Sequence, residues 1–250
     1  LSFFKNHPVR FLSIAKDNTL CFGYDGQIWI KKKNAVAKKV TINITPVQQS
    51  RLQNISVNEA QEMAIAPSGK ELAFIFRGEV FTSSIDGNNV KRITHTAGAE
   101  ANLSFSPDGK KLLYASERDG SWKILQGNQV TETVIISNDK ENDQPLYSPD
   151  GKEIAYIENR NTLKIYNIAS RQSRTLLTSE QLISRRDHDQ YFEWSPDSQW
   201  LLVQFMEQGS GNEEVGIIHA SGRDKLINLT QSGFSDIRPR WMMNGKMILY

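Results

Sequence analysis

The stretch Ser106-Pro107-Asp108-Gly109-Lys110 decides the fold of this chain, because it returns as Ser148-Pro149-Asp150-Gly151-Lys152 and in related forms elsewhere. Proline fixes φ near −65° at the first corner of a tight turn, and aspartate and glycine tolerate the conformations that follow. Each copy therefore predicts a turn between two strands. Further copies are Ala66-Pro67-Ser68-Gly69-Lys70 and Ser195-Pro196-Asp197-Ser198-Gln199, with degenerate ones at Ala15-Lys16-Asp17-Asn18-Thr19 and Met242-Met243-Asn244-Gly245-Lys246.

Apolar residues flank each turn at fixed distances from the proline position. Phe105 stands two places before its proline, and Leu112 and Tyr114 stand five and seven places after it. A spacing of two puts side chains on one face of a strand. A third and a short fourth strand follow in each unit, as in Glu79-Val80-Phe81 and Arg92-Ile93-Thr94. Each unit is therefore expected to form four antiparallel strands.

The period of the repeat indicates the architecture. The proline positions 67, 107, 149, 196 and 243 lie 40, 42, 47 and 47 residues apart, which suits four short strands per unit. One such sheet cannot bury both faces alone, so successive units must pack face to face, and curving the stack into a ring hides most strand edges. We predict an all-β chain, a β-propeller of four-stranded antiparallel blades.

About five and a half blades are present, and completion would give a ring of six or seven blades. Residues 1–250 are expected to form a single propeller domain, a section of a longer multidomain chain, because the last copy stops in its second strand. Residues 57–63 look helical in isolation, but their register before Pro67 assigns them to an innermost strand. An unclosed propeller exposes a strand edge, so we expect self-association.

Composition and charge exclude several function classes. Of 250 residues 38% are apolar, and 30 basic against 28 acidic side chains leave a formal net charge of +2. This balance argues against a nucleic-acid binder. No apolar run approaches the ~18 residues of a membrane span. The one cysteine, Cys21, cannot form an internal disulfide, and its apolar neighbours predict a buried structural thiol.

Longer strings of the sequence resemble one family. The proline-anchored turn followed by alternating apolar residues is typical of TolB-like and tricorn-like propeller repeats. Residues 7–14 and 19–26 are similar to the propeller region of bacterial tricorn-like serine peptidases of the C-terminal-processing family, as are residues 77–81 and 147–158. The resemblance covers about residues 7–250.

In that family the propeller precedes a PDZ domain and a serine protease domain, often in secreted or periplasmic enzymes. The resemblance therefore implies a non-catalytic propeller that gates or docks polypeptide substrates for a downstream protease domain of the same chain. Inner-strand edges could hold an extended peptide by β-augmentation. Two alternatives stay open: a stand-alone TolB-like interaction scaffold, and an enzyme with a channel-centred active site.

The resemblance supplies no catalytic residue, because those belong to the downstream domain. The sequence itself contains no Gly-x-Ser-x-Gly elbow, no His-Glu-x-x-His zinc helix and no phosphate-binding glycine loop, which are the motifs of common catalytic and nucleotide sites. We expect no catalytic residue, metal ion or cofactor in this chain.

A polar residue recurs seven places before the proline position, where each innermost strand begins. In a propeller these positions gather at one mouth of the central channel, so we hypothesise an acidic collar that attracts cationic peptide or a divalent cation. The alternative is that each carboxylate accepts hydrogen bonds from its own loop. Arg238 would partly neutralise the collar. The collar residues are Glu100, Asn142 with its neighbour Asp143, Asp189 and Asp236.

Overall fold

The computed structural model of this protein describes residues 4, 8–42, 59–128, 130–184, 186–207, 209 and 211–250. Within these ranges the regular structure is almost entirely β, and the two helical segments are single 3-10 turns, Arg118–Gly120 and Met243–Gly245. Neither of these helices is long and apolar enough to cross a membrane. The chain forms two compact units, residues 1–59 with 119–121, and residues 60–118 with 122–250.

The first unit contains one four-stranded antiparallel sheet, blade 1. Phe22 is buried in this unit, whereas Cys21 is only half-buried. The prediction of a buried thiol is therefore wrong. Successive side chains of a strand point to opposite faces, and Phe22 takes the covered one. The strands are β1 (Arg10–Ile14), β2 (Leu20–Tyr24), β3 (Gln27–Lys31) and β4 (Lys38–Lys39).

The second unit contains four four-stranded sheets, blades 2 to 5, and a two-stranded sheet, blade 6. Blade 2 contains β5 (Glu62–Ile65), β6 (Glu71–Phe76), β7 (Glu79–Ser84) and β8 (Lys91–Arg92), and blade 3 contains β9 (Glu100–Phe105), β10 (Leu112–Ser116), β11 (Lys123–Gly127) and β12 (Glu132–Ile136). Blade 4 contains β13 (Asn142–Tyr147), β14 (Glu153–Glu158), β15 (Thr162–Asn167) and β16 (Gln172–Leu177), and blade 5 contains β17 (Phe192–Trp194), β18 (Trp200–Met206), β19 (Glu213–His219) and β20 (Ile227–Asn228). Blade 6 contains β21 (Arg240–Met242) and β22 (Met247–Leu249).

This inventory of the described residues confirms the predicted five and a half units, with five four-stranded sheets and one two-stranded sheet. Each proline-anchored turn joins the first strand of its blade to the second. The innermost strand expected in residues 57–63 begins at Glu62. Residues 57 and 58 lie outside the described residues.

Apolar side chains from neighbouring blades of the second unit form its core. Ile75 of blade 2 packs in one cluster with Tyr114 and Leu125 of blade 3, and Ile165 of blade 4 packs in another with Leu201 of blade 5. Strands inside the stack are covered on both faces, so β10 is buried along its whole length. Full burial of one large apolar side chain contributes about 1.5–3 kcal/mol, which makes blade-to-blade packing the main source of stability.

The backbone five places before the proline position is left-handed in the innermost strands of blades 3 and 4 and in the segment before β21. Asn102, Gln144 and Arg238 have left-handed backbones, with φ of 57°, 48° and 55°. In blades 3 and 4 the register with the second strand shifts at this point, as in a β-bulge. A bulge redirects side chains, and here it aims residues toward the neighbouring blade.

Candidate functional site

Side chains five places before the proline position connect successive innermost strands. Glu62 Oε2 accepts a hydrogen bond from Leu103 N at 3.0 Å, and Asn102 Oδ1 accepts one from Gln144 N at 3.2 Å. Gln144 in turn accepts from Gln190 N at 3.1 Å and donates to Gln190 O at 2.7 Å. We call this series the inter-blade ladder. An extended peptide pairing with these backbone groups would first have to displace the ladder side chains.

Glu100 is buried at the start of β9. Its Oε1 accepts hydrogen bonds from Thr96 Oγ1 at 2.8 Å and Ser116 Oγ at 2.9 Å, and Arg118 Nη2 lies 3.7 Å away. Burial raises the pKa of the Glu100 carboxyl, and the nearby Glu79 carboxylate raises it further. Glu100 therefore joins blades 2 and 3 through hydroxyl groups and presents no free carboxylate to solvent.

Asp143 is buried near the start of β13 and faces a residue of blade 5. Its Oδ2 lies 3.0 Å from His188 Nδ1, and the imidazole meets the Trp122 ring edge-on with centroids 5.0 Å apart. Burial opposes the imidazolium, but the contact with Asp143 outweighs it and raises the pKa of His188. Burial also raises the pKa of the Asp143 carboxyl, and the two side chains form a close contact in which Asp143 is buried.

Asp189 lies beside an open cleft of about 260 Å³, formed by residues of segment 183–191 and of strands β18 and β19. The carboxylate is exposed, and its Oδ2 accepts a hydrogen bond from Arg186 N at 2.6 Å. This bond is the local loop contact that the alternative to the collar predicts. The other oxygen accepts from the Gln190 side chain at 3.4 Å.

Asp236 and Arg238 reach the same cleft from the segment before β21. Asp236 N donates to Glu213 O at 2.8 Å, and Arg238 N donates to Gln204 Oε1 at 2.9 Å. Glu213 and Gln204 both line the cleft. Asp189 thus lines the cleft, whereas Asp236 and Arg238 contact its lining residues only through their backbone N–H groups, and the Asp236 carboxylate accepts a hydrogen bond from Ser232 Oγ at 2.8 Å. Asp143 lies behind His188, and Glu100 is enclosed between blades 2 and 3. Within the described ranges no group of three or more His, Cys, Asp or Glu residues is arranged to hold a metal ion.

Sequence reasoning missed His188 and Trp122 as site residues. His188 precedes Asp189 by one position, but its partner Asp143 belongs to the previous repeat, and Trp122 to the one before that. The signal that could have located the inter-blade ladder is the polar residue five places before the proline in three successive repeats, at Glu62, Asn102 and Gln144.

Comparison with protein families identifies the repeat. The model of the PD40 family, described as the TolB beta propeller domain, matches residues 34–241. This chain belongs to the TolB propeller family. The predicted β-propeller fold and the resemblance to TolB-like repeats are thereby confirmed.

Two curated relatives of this TolB propeller carry tricorn names. A "Tricorn protease homolog" of Saccharolobus solfataricus is 24% identical over 216 residues, which is 85% of this chain and 19% of that protein. A "Putative Tricorn-like protease C-terminal subunit" of Sulfurisphaera tokodaii is 24% identical over 235 residues, which is 92% of this chain and 26% of that protein. The chain thus spans about a fifth and a quarter of these relatives, which are archaeal rather than bacterial.

Solved structures agree on the fold of this TolB propeller. TolB from Acinetobacter baumannii matches with a TM-score of 0.57 and 19% identity, covering 91% of this chain and 55% of that chain. The tricorn protease matches with a TM-score of 0.54 and 14% identity, covering 96% of this chain and 23% of that chain. An oligogalacturonate lyase in complex with manganese matches with a TM-score of 0.57 and 12% identity, covering 85% of this chain and 61% of that chain. At these identities the likeness shows the fold alone.

Proposed function

We propose that this TolB propeller is the non-catalytic module of a tricorn-like peptidase, and that it docks or gates polypeptide substrates for a protease domain of the parent chain. The observation that carries the proposal is that two tricorn-named relatives match 85% and 92% of this chain, which is only 19% and 26% of their own lengths. Such a match supports a propeller that is one part of a longer protein. The bond-breaking residues and the PDZ domain would then lie in the remainder of the parent.

The docking site in this proposal is the cleft beside Asp189. Its lining includes Tyr191, the carboxylates of Asp189 and Glu213 and the guanidinium of Arg186, and the backbone N–H of Asp236 bonds to Glu213 O beside it. Aromatic surface gives sequence-tolerant contacts, and carboxylates attract cationic side chains. These properties suit a segment of unfolded polypeptide that carries lysine or arginine.

Fluorescence polarisation with a fluorescein-labelled unstructured peptide containing several lysines tests this docking. We expect saturable binding that weakens about three- to tenfold in the double variant D189N/D236N and falls as salt rises, because exposed charges are screened. The control D139N/D224N removes two exposed carboxylates outside the cleft and should leave affinity unchanged. Absence of saturable binding at high protein concentration would refute the docking role.

A stand-alone TolB-like interaction scaffold is the second candidate, favoured by the family match itself and by the coverage of 91% against TolB. The coding sequence downstream of Tyr250 distinguishes the two. A PDZ-plus-protease continuation supports the peptidase module, and a stop codon within about half a blade supports the scaffold. The periplasmic or secreted location is part of the same proposal and rests on the family resemblance; cell fractionation with an antibody to the chain tests it.

A further inference from the structure

The carboxyl group of Asp143 and the ring of Trp122 form a small pocket that the imidazole of His188 occupies. The Asp143 side chain, on blade 4, is 7% exposed, and its Oδ2 lies 3.0 Å from His188 Nδ1. Trp122, from blade 3, contacts the same imidazole edge-on at 85° with a centroid distance of 5.0 Å. A buried carboxylate beside an aromatic ring is the chemistry that binds organic cations.

His188 fills this pocket incompletely. It approaches only Oδ2, and Asp143 Oδ1 is buried without a hydrogen-bond partner among the described residues. An unpaired buried carboxylate oxygen is costly. An arginine guanidinium has the parallel N–H groups that satisfy both oxygens of one carboxylate, which a single imidazole nitrogen does not.

The backbone of His188 is left-handed, and its side chain is partly exposed. Its φ is 58°, a left-handed conformation that is uncommon for residues with a side chain. The segment is fixed just after His188, where Gln190 bonds to Gln144 in both directions. The His188 side chain is 24% exposed, so its outer side is open to a competing ligand.

The surrounding charges favour a cation at this position. Asp143 faces His188 from β13, Asp187 acts on it from its own segment, and Glu62 acts on it from β5. Asp189 adds negative potential at Asp143. Arg160 opposes this potential, since its Nε lies 3.3 Å from Asp187 Oδ1. The carboxylates of Asp143, Asp187 and Glu62 nevertheless favour positive charge on the His188 imidazole.

We propose that Asp143 and Trp122 form a binding pocket for an arginine side chain of a polypeptide, and that His188 is its internal occupant, displaced when the ligand binds. The polypeptide ligand is the one of the proposed function, on which this part of the inference rests. The pocket itself is independent of that function and is tested with a small probe.

The first experiment titrates the variant H188A with methylguanidinium and follows the indole N–H resonance of Trp122 by NMR. We expect affinity for the probe at least about tenfold above that of the wild-type chain, and loss of this gain in D143N/H188A. Equal affinity in H188A and the wild type, or a gain that survives in the double variant, would overturn the pocket.

The matched control is H219A. His219 meets Trp200 edge-on with centroids 4.9 Å apart at 88°, but its carboxylate partner Asp224 lies 3.8 Å away and the Asp224 side chain is 60% exposed. The same aromatic contact is therefore present without the buried carboxylate. H219A should gain no affinity for methylguanidinium, and a gain equal to that of H188A would overturn the role assigned to Asp143.

The second experiment uses the wild-type chain, so it does not depend on the folding of a variant. An unstructured peptide with one arginine should shift the ring resonances of His188 to those of an exposed imidazole, and the same peptide with citrulline should not. A peptide that binds without changing the His188 resonances would overturn displacement. If no peptide binds but H188A binds methylguanidinium through Asp143, the docking function fails and the guanidinium pocket is supported.

Discussion

Single residues explain why the proline-anchored turn recurs. Ser148 Oγ donates to Asp150 Oδ1 at 2.7 Å, the same oxygen accepts from Lys152 N at 3.1 Å, and Glu153 N donates to Ser148 Oγ at 3.0 Å. The copies that begin at Ser106 and Ser195 contain the same three bonds. Serine and aspartate thus satisfy backbone N–H groups that a tight turn leaves unpaired.

Replacing Ser148 by alanine should therefore destabilise the chain. The hydroxyl is buried, and its loss leaves Glu153 N without this acceptor, which costs about 1–2 kcal/mol. Urea denaturation measures the change in the free energy of unfolding. The control S137A removes the hydroxyl of an exposed serine and should change stability by less than about 0.5 kcal/mol. Equal effects of the two substitutions would contradict this account of the turn.

The aspartates of these turns also predict a pH dependence. The hydrogen bond from Ser106 Oγ, followed by that from Lys110 N, lowers the pKa of Asp108 below its ordinary value. A carboxyl whose pKa is lower in the folded state stabilises it above the ordinary Asp pKa of about 3.9, and this contribution is lost as the pH falls through the folded-state pKa. The stability difference between the wild type and D108N should therefore be largest near pH 6 and shrink toward pH 2. A difference that stays constant over that range would show that Asp108 does not stabilise the turn through its charge.

At the scale of elements, the inter-blade ladder joins innermost strands that the backbone alone leaves unconnected. Gln144 makes two bonds to Gln190, so Q144A should lower the free energy of unfolding by about 1–2 kcal/mol. The sharper measurement is amide hydrogen exchange, which should accelerate at Gln190. N102A is the matched control, because the hydrogen bond that this variant loses protects the Gln144 amide and not the Gln190 amide. Unchanged exchange at Gln190 in Q144A would mean that the ladder does not hold the strands.

The strands could be predicted from sequence because their signals are local. Proline and glycine place the turns, and the alternation of Leu112 and Tyr114 places the buried faces. The bulges could not be predicted in this way. Gln144 adopts its left-handed backbone where it bonds to the next blade, and no local residue preference requires that conformation. The candidate site could likewise be predicted only where its signals are local. The collar positions recur at one place in the repeat, but the hydroxyls that enclose Glu100 and the histidine that covers Asp143 come from other segments, which no local signal reveals.

At the scale of the whole molecule, the last sheet determines how the 250-residue chain behaves in solution. Blade 6 has two strands, and β22 pairs only with β21 within the described ranges. Met247 and Leu249 on this strand are both exposed. An apolar strand whose outer edge is unpaired among the described residues is a template for pairing with another chain, so we predict that copies of the isolated 250-residue polypeptide associate through β22.

A lysine on that edge should therefore convert the chain to a monomer. L249K adds a charge that an edge-to-edge contact would have to bury, whereas V130K adds the same charge at an exposed loop residue of blade 3. Light scattering coupled to size-exclusion chromatography should give a mass that rises with concentration for the wild type and V130K, and the mass of one 28.4 kDa chain for L249K. A wild-type chain that remains monomeric at every concentration would contradict association through β22, and self-association that persists in L249K would place the interface elsewhere.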